Sequence, residues 1–309
     1  MLAVANEFLP RIRRHEPMSR HTSWHVGGDA EIYFTPSNRR ELTAFLKSVP
    51  AEVPVQWVGL GSNLLVRDGG IKGIVVSTRG TLDRLERADP DSVYGEAGVA
   101  CARIARQCIK WGLGPAEFFA GIPGTLGGAL AMNAGAFGGE TWRHVIEVET
   151  VDRAGREHRR SAGEYRASYR QVEPPVPQEG FLGARLRFEV RPAEHQSEVQ
   201  ALLERRKATQ PIGEWSCGSV FTNPPGDHAA RLIEAAGLKG LKIGDASVSL
   251  KHANFIINHG AATAADIEHL IERVQDEVER AHGVRLHPEV RIVGQAAGQT
   301  VGPTVEERR

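Results

Sequence analysis

The chain has 309 residues, of which 38 are basic and 38 acidic, so its formal net charge is zero. A composition of 41% hydrophobic and 25% charged residues excludes an intrinsically disordered chain, and the length predicts about two domains. The balanced charge gives no general attraction to nucleic acid or to an anionic membrane, and no apolar run approaches the ~18 residues of a membrane span.

Short strands with few helices between them are predicted for the first two-thirds of the chain. Runs rich in β-forming residues predict strands over residues 30–35, 53–60, 73–77, 92–96, 145–151, 156–160 and 181–190. Two of these strands are joined by Asp152-Arg153-Ala154-Gly155, a sequence typical of a hairpin turn. Apolar residues at helical spacing predict helices over residues 41–48 and 99–111.

The last third of the chain has a more helical pattern, which predicts helices over residues 194–207, 227–236 and 263–282. Thr263 and Asp266 form the pattern of a capping box before the third helix, and Gly283 is placed to end it. A final strand is predicted over residues 285–293, with one face formed by Leu286, Val290 and Ile292 and the other by His287, Glu289 and Arg291. Residues 294–309 are expected to fray.

The cysteines Cys101, Cys108 and Cys217 include no CxxC pair and no Cys/His cluster, which argues against a disulfide framework and a structural zinc site. The first residues have neither the basic leader nor the long apolar core of a signal peptide. We therefore expect a cytoplasmic location, because cysteines remain reduced there. We expect no metal ion.

The first segment with a chemical signature is Gly59-Leu60-Gly61-Ser62-Asn63-Leu64, which follows a predicted strand. Glycine and asparagine tolerate positive φ, so successive backbone N–H groups can converge on a phosphate. The segment lacks the Lys-Ser/Thr of a P-loop and the third glycine of a Rossmann fingerprint. A phosphate site and a tight glycine-rich turn are therefore both open interpretations.

The second segment holds seven glycines in the nineteen residues from Gly121 to Gly139. Each glycine would destabilise a regular helix or strand by roughly 1 kcal/mol, so this density indicates bare backbone against a ligand or another segment. A flat ring system with a pyrophosphate is a ligand of that kind, and a flexible loop is the alternative. A buried segment is favoured by the interleaved residues Ile122, Leu126, Leu130, Met132 and Phe137.

Three further segments are individually weak. Tyr165-Arg166-Ala167-Ser168-Tyr169-Arg170 could place guanidinium groups beside a carboxylate or phosphate, or could be a solvated turn. Cys217-Gly218-Ser219 could project a hydroxyl into a cleft, although it does not match a nucleophile elbow. Cys217 could be a nucleophile or a small buried residue. In His287-Pro288-Glu289, the proline predicts an edge or a bulge, and Glu289 could equally be a surface residue.

In this order, the five segments resemble the UDP-N-acetylenolpyruvoylglucosamine reductase family, also called UDP-N-acetylmuramate dehydrogenase. The resemblance includes residues 21–30 and 251–258 and extends over about residues 20–292. It implies an α+β fold, with a two-lobed FAD-binding module of the PCMH / vanillyl-alcohol-oxidase type and a C-terminal α+β substrate-binding domain. The implied parts are lobe 1 (1–77), lobe 2 (78–203), the substrate-binding domain (204–293) and a disordered tail (294–309).

The resemblance also implies the reaction. UDP-N-acetyl-3-O-(1-carboxyvinyl)-glucosamine would be reduced by NADPH through non-covalently bound FAD to UDP-N-acetylmuramate, in peptidoglycan precursor synthesis. By motif position, Arg166 and Glu289 would stabilise negative charge on the substrate, and Ser219 would be the general acid. The implied FAD contacts are Gly59, Gly61, Ser62, Asn63, Leu64, Gly121, Ile122, Pro123, Gly124, Thr125 and Gly128.

Two alternatives remain at this point. Another FAD-dependent sugar or alcohol oxidoreductase of the same fold would explain the glycine-rich segments, but not the set Arg166, Ser219 and Glu289. A non-catalytic UDP-sugar-binding homologue would not need those three residues. The expected partners are the UDP-sugar and NADPH, with no nucleic acid, membrane or obligate protein partner.

Overall fold

The computed structural model describes residues 5–191 and 196–298. Its α-helices are α1 (Arg39–Ser48), α2 (Cys101–Lys110), α3 (Leu126–Met132), α4 (Gln196–Thr209), α5 (Ala229–Ala235) and α6 (Ala264–His282). Its strands are β1 (Ile12–Pro17), β2 (Asp29–Phe34), β3 (Val55–Val58), β4 (Leu64–Val66), β5 (Ile71–Ser77), β6 (Leu85–Asp89), β7 (Ser92–Glu96), β8 (Leu113–Gly114), β9 (Gly135–Ala136), β10 (Gly139–Glu140), β11 (Val145–Val151), β12 (Glu157–Ser161), β13 (Arg166–Ser168), β14 (Gln171–Glu173), β15 (Gly180–Arg187), β16 (Glu189–Val190), β17 (Lys242–Ile243), β18 (Ala246–Val248), β19 (Ile256–Asn258) and β20 (Arg291–Val293).

The first sheet has the strand order β1-β2-β5-β3. β1 and β2 pair antiparallel, whereas β5 runs parallel to both of its neighbours. The apolar face predicted for the first helix is confirmed, because Leu42, Phe45 and Leu46 of α1 are buried against this sheet. The Phe45 ring stacks on Phe34 of β2, with ring centroids 3.8 Å apart.

The second sheet is antiparallel throughout, in the order β12-β11-β15-β7-β6. The predicted strands 92–96 and 145–151 coincide with β7 and β11, and the predicted hairpin between β11 and β12 is confirmed. Its turn is closed by a hydrogen bond from the Asp152 amide to the Arg156 carbonyl, and Gly155 has a φ of +69°. The predicted strand 181–190 is divided into β15 and β16.

The third part of the fold packs α5 and α6 against the small antiparallel sheet β17-β18-β19. The capping box predicted for α6 is confirmed, because the Thr263 side chain accepts from the Asp266 amide at 3.1 Å. Gly283 ends the helix in the left-handed conformation, with a φ of +67°. The apolar stripe of α6 is buried and consists of Ile267, Leu270, Ile271, Val274 and Val278.

One core joins the C-terminal part to the beginning of the chain. Trp24, Val26 and Leu65 lie in the same apolar cluster as the buried face of α6. The indole N–H of Trp24 donates to the carbonyl of Ile256 at 2.8 Å. The first sheet and the C-terminal helices are thereby held in a defined relation, which positions the loops between them.

The prediction of one strand over residues 285–293 is wrong. Only β20 forms, and it pairs in parallel with β4. Pro288 has no amide hydrogen, and the Glu289 and Val290 amides both donate to the Val220 carbonyl, so a regular ladder cannot extend through this segment. Leu286 and Val290 are nevertheless buried, as the alternation predicted.

The glycine-rich segment contains α3, which the sequence did not predict. A Cβ on Gly127 would lie 3.0 Å from the Cβ of Ala97, so glycine allows this helix to approach the loop after β7 closely. Ile122, Leu126 and Leu130 are buried as expected. Met132 is half-buried, and Phe137 is 40% exposed, which is contrary to the expectation of burial.

Two predictions extend beyond the described residues. Residues 194–195 of the predicted helix 194–207 lie outside them, and α4 is described from Gln196. Residues 299–309 of the predicted tail also lie outside. Within residues 294–298, Gln295 exchanges backbone hydrogen bonds with Gly69 and Gly70, so this part is attached to the loop after β4.

No helix in the described part of the chain has the length and apolar character needed to cross a membrane. Residues 5–191 and 196–298 also contain no group of three or more His, Cys, Asp or Glu side chains that could hold a metal ion.

Candidate active site

A cavity opens where the loop between β3 and β4, the segment 121–137 and the turn between β13 and β14 meet the C-terminal part of the fold. The end of α4 and the segment 217–219 complete its wall. Its polar side chains come from Ser62, Asn63, Arg170, Arg206, Gln210, Cys217, Ser219 and Glu289. Both parts of the fold therefore contribute chemical groups to one space.

A second cavity continues from the first and shares Ser62, Asn63, Ile122, Met132 and Ala134 with it. The residues predicted to contact a cofactor all line one of these two cavities or both. Gly59, Gly61, Leu64, Gly124, Thr125 and Gly128 line the second, Gly121 and Pro123 line the first, and Ser62, Asn63 and Ile122 line both. Tertiary structure thus brings the two glycine-rich segments together.

The glycines of this cleft serve different purposes. Gly61 has a φ of +63°, and a Cβ there would lie 1.9 Å from the His21 carbonyl oxygen, so the chain path itself requires glycine. A Cβ on Gly59 would lie 2.4 Å from Oγ1 of Thr125, which shows how closely the two segments approach. Gly124 and Gly128 meet nothing nearer than 3.4 Å and leave bare backbone facing the second cavity.

Ser219 reaches the cavity because of the backbone on either side of it. Gly218 precedes it with a φ of +82°. The carbonyl of the next residue, Val220, accepts a hydrogen bond from the Glu289 amide at 2.7 Å. Asn254 fixes the backbone of Phe221, since its side chain accepts from the Phe221 amide and donates to the Phe221 carbonyl. The segments that carry Ser219 and Glu289 are therefore hydrogen-bonded to each other.

Glu289 points into the cavity rather than to solvent, and its side chain is only 12% exposed. Arg170 Nε donates to Glu289 Oε1 at 2.9 Å. Burial raises the pKa of Glu289 above its ordinary value, and the Arg170 cation opposes this shift without cancelling it. The interpretation of Glu289 as an ordinary surface residue is excluded by this burial.

Arg166 lies elsewhere. It is exposed on β13, and it is absent from the described residues that line the cavity. The preceding Tyr165 is buried against Trp142, with ring centroids 4.6 Å apart. The structure therefore brings together two of the three predicted catalytic residues, Ser219 and Glu289, and places the guanidinium of Arg170 beside them.

Several cavity residues were not assigned a role from the sequence. Arg206 of α4 donates from Nε to Oε1 of Gln210 at 2.8 Å. Burial lowers the pKa of Arg206, and a guanidinium remains charged nonetheless. The only sequence signal for Arg170 was its place in the second Tyr-Arg pair.

Cys217 is buried, and burial raises the pKa of its thiol, which favours the interpretation of a small buried residue over a nucleophile.

Comparison with known proteins gives long and continuous matches. The chain is 60% identical over 298 residues to the UDP-N-acetylenolpyruvoylglucosamine reductase of Alkalilimnicola ehrlichii, covering 96% of this chain and 99% of that protein. It is 55% identical over 285 residues to the reductase of the same name from Methylococcus capsulatus, covering 91% and 93%. At these coverages the similarity extends over both parts of the fold.

Two family models match separate regions, an FAD binding domain over residues 30–161 and the C-terminal domain of UDP-N-acetylenolpyruvoylglucosamine reductase over residues 210–293. The crystal structure of the reductase from Thermus caldophilus superposes with a TM-score of 0.78 at 34% identity, covering 91% of this chain and 98% of that one. These matches confirm the predicted α+β fold of an FAD-binding module and a C-terminal domain. The chain belongs to the UDP-N-acetylenolpyruvoylglucosamine reductase family.

Proposed function

We infer that this chain reduces UDP-N-acetyl-3-O-(1-carboxyvinyl)-glucosamine to UDP-N-acetylmuramate, with NADPH as reductant and FAD as cofactor. The reaction makes the muramic acid sugar of peptidoglycan precursors. The observation that carries this inference is the continuous cleft, in which a glycine-lined half meets a half that holds Ser219 and Glu289. A sugar oxidase or a non-catalytic binding protein would not explain Ser219 and Glu289 in that second half.

The glycine-lined half fits FAD. Bare backbone at Gly124 and Gly128 faces the cavity, and a Cβ at Gly124 would enter the space beside Ser62 and Ile122. Ser62 and Asn63 line both cavities, and the Ser62 hydroxyl is an uncharged donor that could serve a pyrophosphate. When bound there, FAD would supply the hydride chemistry that links oxidation of NADPH to reduction of the enol ether at its methylene carbon.

Hydride addition at the methylene carbon leaves the electron pair of the former double bond on the carbon that carries the carboxylate. The pair delocalises into that carboxylate until a proton arrives, so charge stabilisation is the task left to the protein. We assign that task to Arg166 and Glu289. The burial of Glu289 supports its assignment, because burial raises its pKa and favours the protonated carboxyl, which can donate a hydrogen bond to the developing negative charge.

The assignment of Arg166 rests on its motif position. Its side chain is exposed on β13, so the role requires the long Arg166 side chain itself to reorient towards the cavity while the turn that carries Arg170 stays in place.

Ser219 is assigned as the general acid. Its hydroxyl would donate a proton to the carbon that carries the carboxylate, completing reduction of the double bond, and the serine would then recover a proton from solvent. The position of Ser219 in the cavity, on a segment bonded to that of Glu289, supports this role.

We also propose that the chain acts in the cytoplasm on small molecules. The three cysteines are unpaired and buried, which fits a reducing compartment. The proposed ligands, a UDP-sugar and NADPH, require no membrane, nucleic acid or protein partner.

An anaerobic titration tests the function. NADPH is expected to bleach the visible absorbance of the bound flavin, and the enolpyruvyl UDP-sugar is then expected to restore it without oxygen. Bleaching that only oxygen reverses would contradict the proposal and indicate an oxidase. A purified protein without flavin absorbance would indicate the non-catalytic homologue.

Gly124→Val is expected to weaken FAD binding by about tenfold or more, because overpacking a filled site costs on the order of 1–3 kcal/mol. Gly124 is the suitable position because valine there strains no backbone, whereas any change at Gly61 would collide with the His21 carbonyl. Flavin content after gel filtration measures the effect. Gly163→Val is the matched control, at an exposed glycine with no neighbour nearer than 4.0 Å. Full flavin content in Gly124→Val would refute the assignment.

A further inference from the structure

We propose that Arg170 is the positioning residue of Glu289: its guanidinium holds the carboxylate at one place in the cavity and links it to the backbone that follows α3. This inference rests on the proposed function, which gives Glu289 a catalytic role. Arg170 belongs to the second of two Tyr-Arg pairs, whereas the family resemblance implies a role only for Arg166 in the first pair.

The guanidinium of Arg170 divides its donors among three acceptors. Nε donates to Glu289 Oε1 at 2.9 Å, Nη2 to the Gly135 carbonyl at 2.7 Å, and Nη1 to the Asn133 carbonyl at 3.3 Å. The two carbonyls fix the plane of the guanidinium, and the third contact then sets where the Glu289 carboxylate lies. Arginine suits this task because its donors form a rigid planar fork, whereas a lysine ammonium is a single point.

The turn that carries Arg170 is itself held in place. Arg170 has a φ of +59°, which is unusual for a residue with a side chain, in the two-residue turn between Ser168 and Gln171. The Asn133 side chain donates to the Ser168 carbonyl at 2.9 Å and accepts from the Trp142 amide at 3.0 Å. A strained turn residue that is anchored from both sides indicates that its side chain serves a local purpose.

The backbone of Glu289 does not need Arg170. The Glu289 amide donates to the Val220 carbonyl, and the Asn63 side chain donates to the Glu289 carbonyl at 3.0 Å. Removing the guanidinium therefore releases the carboxylate while leaving its chain segment in place. This separation is what distinguishes positioning from a general structural role.

Loss of the Arg170 cation is expected to change the pH profile, because charged groups around Glu289 affect its pKa. The described titratable groups that line its cavity are Arg170, Arg206 and Cys217, and His287 and Arg291 lie on its own segment. Burial raises the pKa of Glu289, and Arg170 is the group that lowers it. Loss of the Arg170 cation therefore raises the pKa of Glu289 further, and the limb of a pH profile that reports Glu289 moves to higher pH.

The test compares Arg170→Met in the wild-type and Glu289→Gln backgrounds by single-turnover reoxidation of the flavin with the UDP-sugar. In the wild-type background we expect the rate constant to fall about tenfold. An effect of this size is usual when the change breaks an interaction between two residues in direct contact. In the Glu289→Gln background the same change is expected to cost less than about threefold, because the partner carboxylate is already gone. Arg170→Lys should recover part of the rate and shift the pH limb less.

Arg160→Met is the matched control. Arg160 pairs with Glu179 on the second sheet, and the side chains are 15% and 4% exposed, against 17% and 12% for Arg170 and Glu289. The control should leave the reoxidation rate and the pH profile unchanged. An equal loss from Arg170→Met in both backgrounds, or a pH limb that does not move in Arg170→Met, would overturn the inference. Failure of the wild-type protein to reoxidise with the UDP-sugar would instead refute the proposed function.

Discussion

Ser219→Ala is expected to slow reoxidation of the flavin by the UDP-sugar about 10²–10⁴-fold, while reduction of the flavin by NADPH stays nearly unchanged. The asymmetry follows from the chemistry, because the proton whose donation we assign to Ser219 is needed only after hydride has reached the substrate. A positioned general acid contributes about 10²–10⁴-fold to a proton transfer. Stopped-flow absorbance under anaerobic conditions measures the two half-reactions separately.

Two further variants sharpen this experiment. Ser219→Cys keeps an ionisable proton at nearly the same place and is expected to retain part of the activity. Ser247→Ala is a control in the same part of the fold, since Ser247 is buried and bonded to His259 at 2.7 Å but lines neither cavity of the cleft. Equal slowing of both half-reactions in Ser219→Ala would mean that Ser219 serves binding or structure and does not donate the proton.

Glu289→Gln is expected to lower turnover about 10²–10³-fold, the usual cost of removing one group that stabilises transition-state charge. The affinity for the UDP-sugar should change little, because charge builds on the substrate only after hydride transfer. Steady-state kcat and KM, measured separately, distinguish this pattern from a loss of binding.

The control for Glu289→Gln is Glu272→Gln, at an exposed position on α6. A change there should alter stability by only a few tenths of a kcal/mol and leave turnover unaffected. Wild-type turnover in Glu289→Gln would remove Glu289 from the mechanism and leave Arg166 as the only side chain assigned to the developing charge. The inference about Arg170 would then fall as well, since Arg170 acts through Glu289.

Local sequence patterns were sufficient to predict an element where one short segment contains all the residues that determine it. The helix α6 carries its cap, its apolar stripe and its terminal glycine within some twenty residues, so its bounds and its buried face could be predicted. The hairpin of β11 and β12 is likewise determined by its own turn. The glycine-rich segments also indicated an unusual backbone, because such a density of glycine destabilises the folded chain unless a close contact requires it.

The contacts of the site depend on residues far apart in the chain, and no local pattern contains them. Glu289 meets Arg170 across 119 positions, and the Asn63 side chain holds the Glu289 carbonyl across 226. The strand predicted over 285–293 failed for the same reason, since the amides of Glu289 and Val290 find their acceptor on Val220.

The sequence by itself therefore determined the family and the reaction, through the resemblance of its ordered motifs. Only the tertiary structure decided which guanidinium stands beside the buried carboxylate. Arg166 and Arg170 each follow a tyrosine, and they lie four positions apart in the sequence. The turn between β13 and β14 turns Arg170 towards the cavity and leaves Arg166 exposed, because Asn133 and Gly135 offer carbonyls to the one side chain.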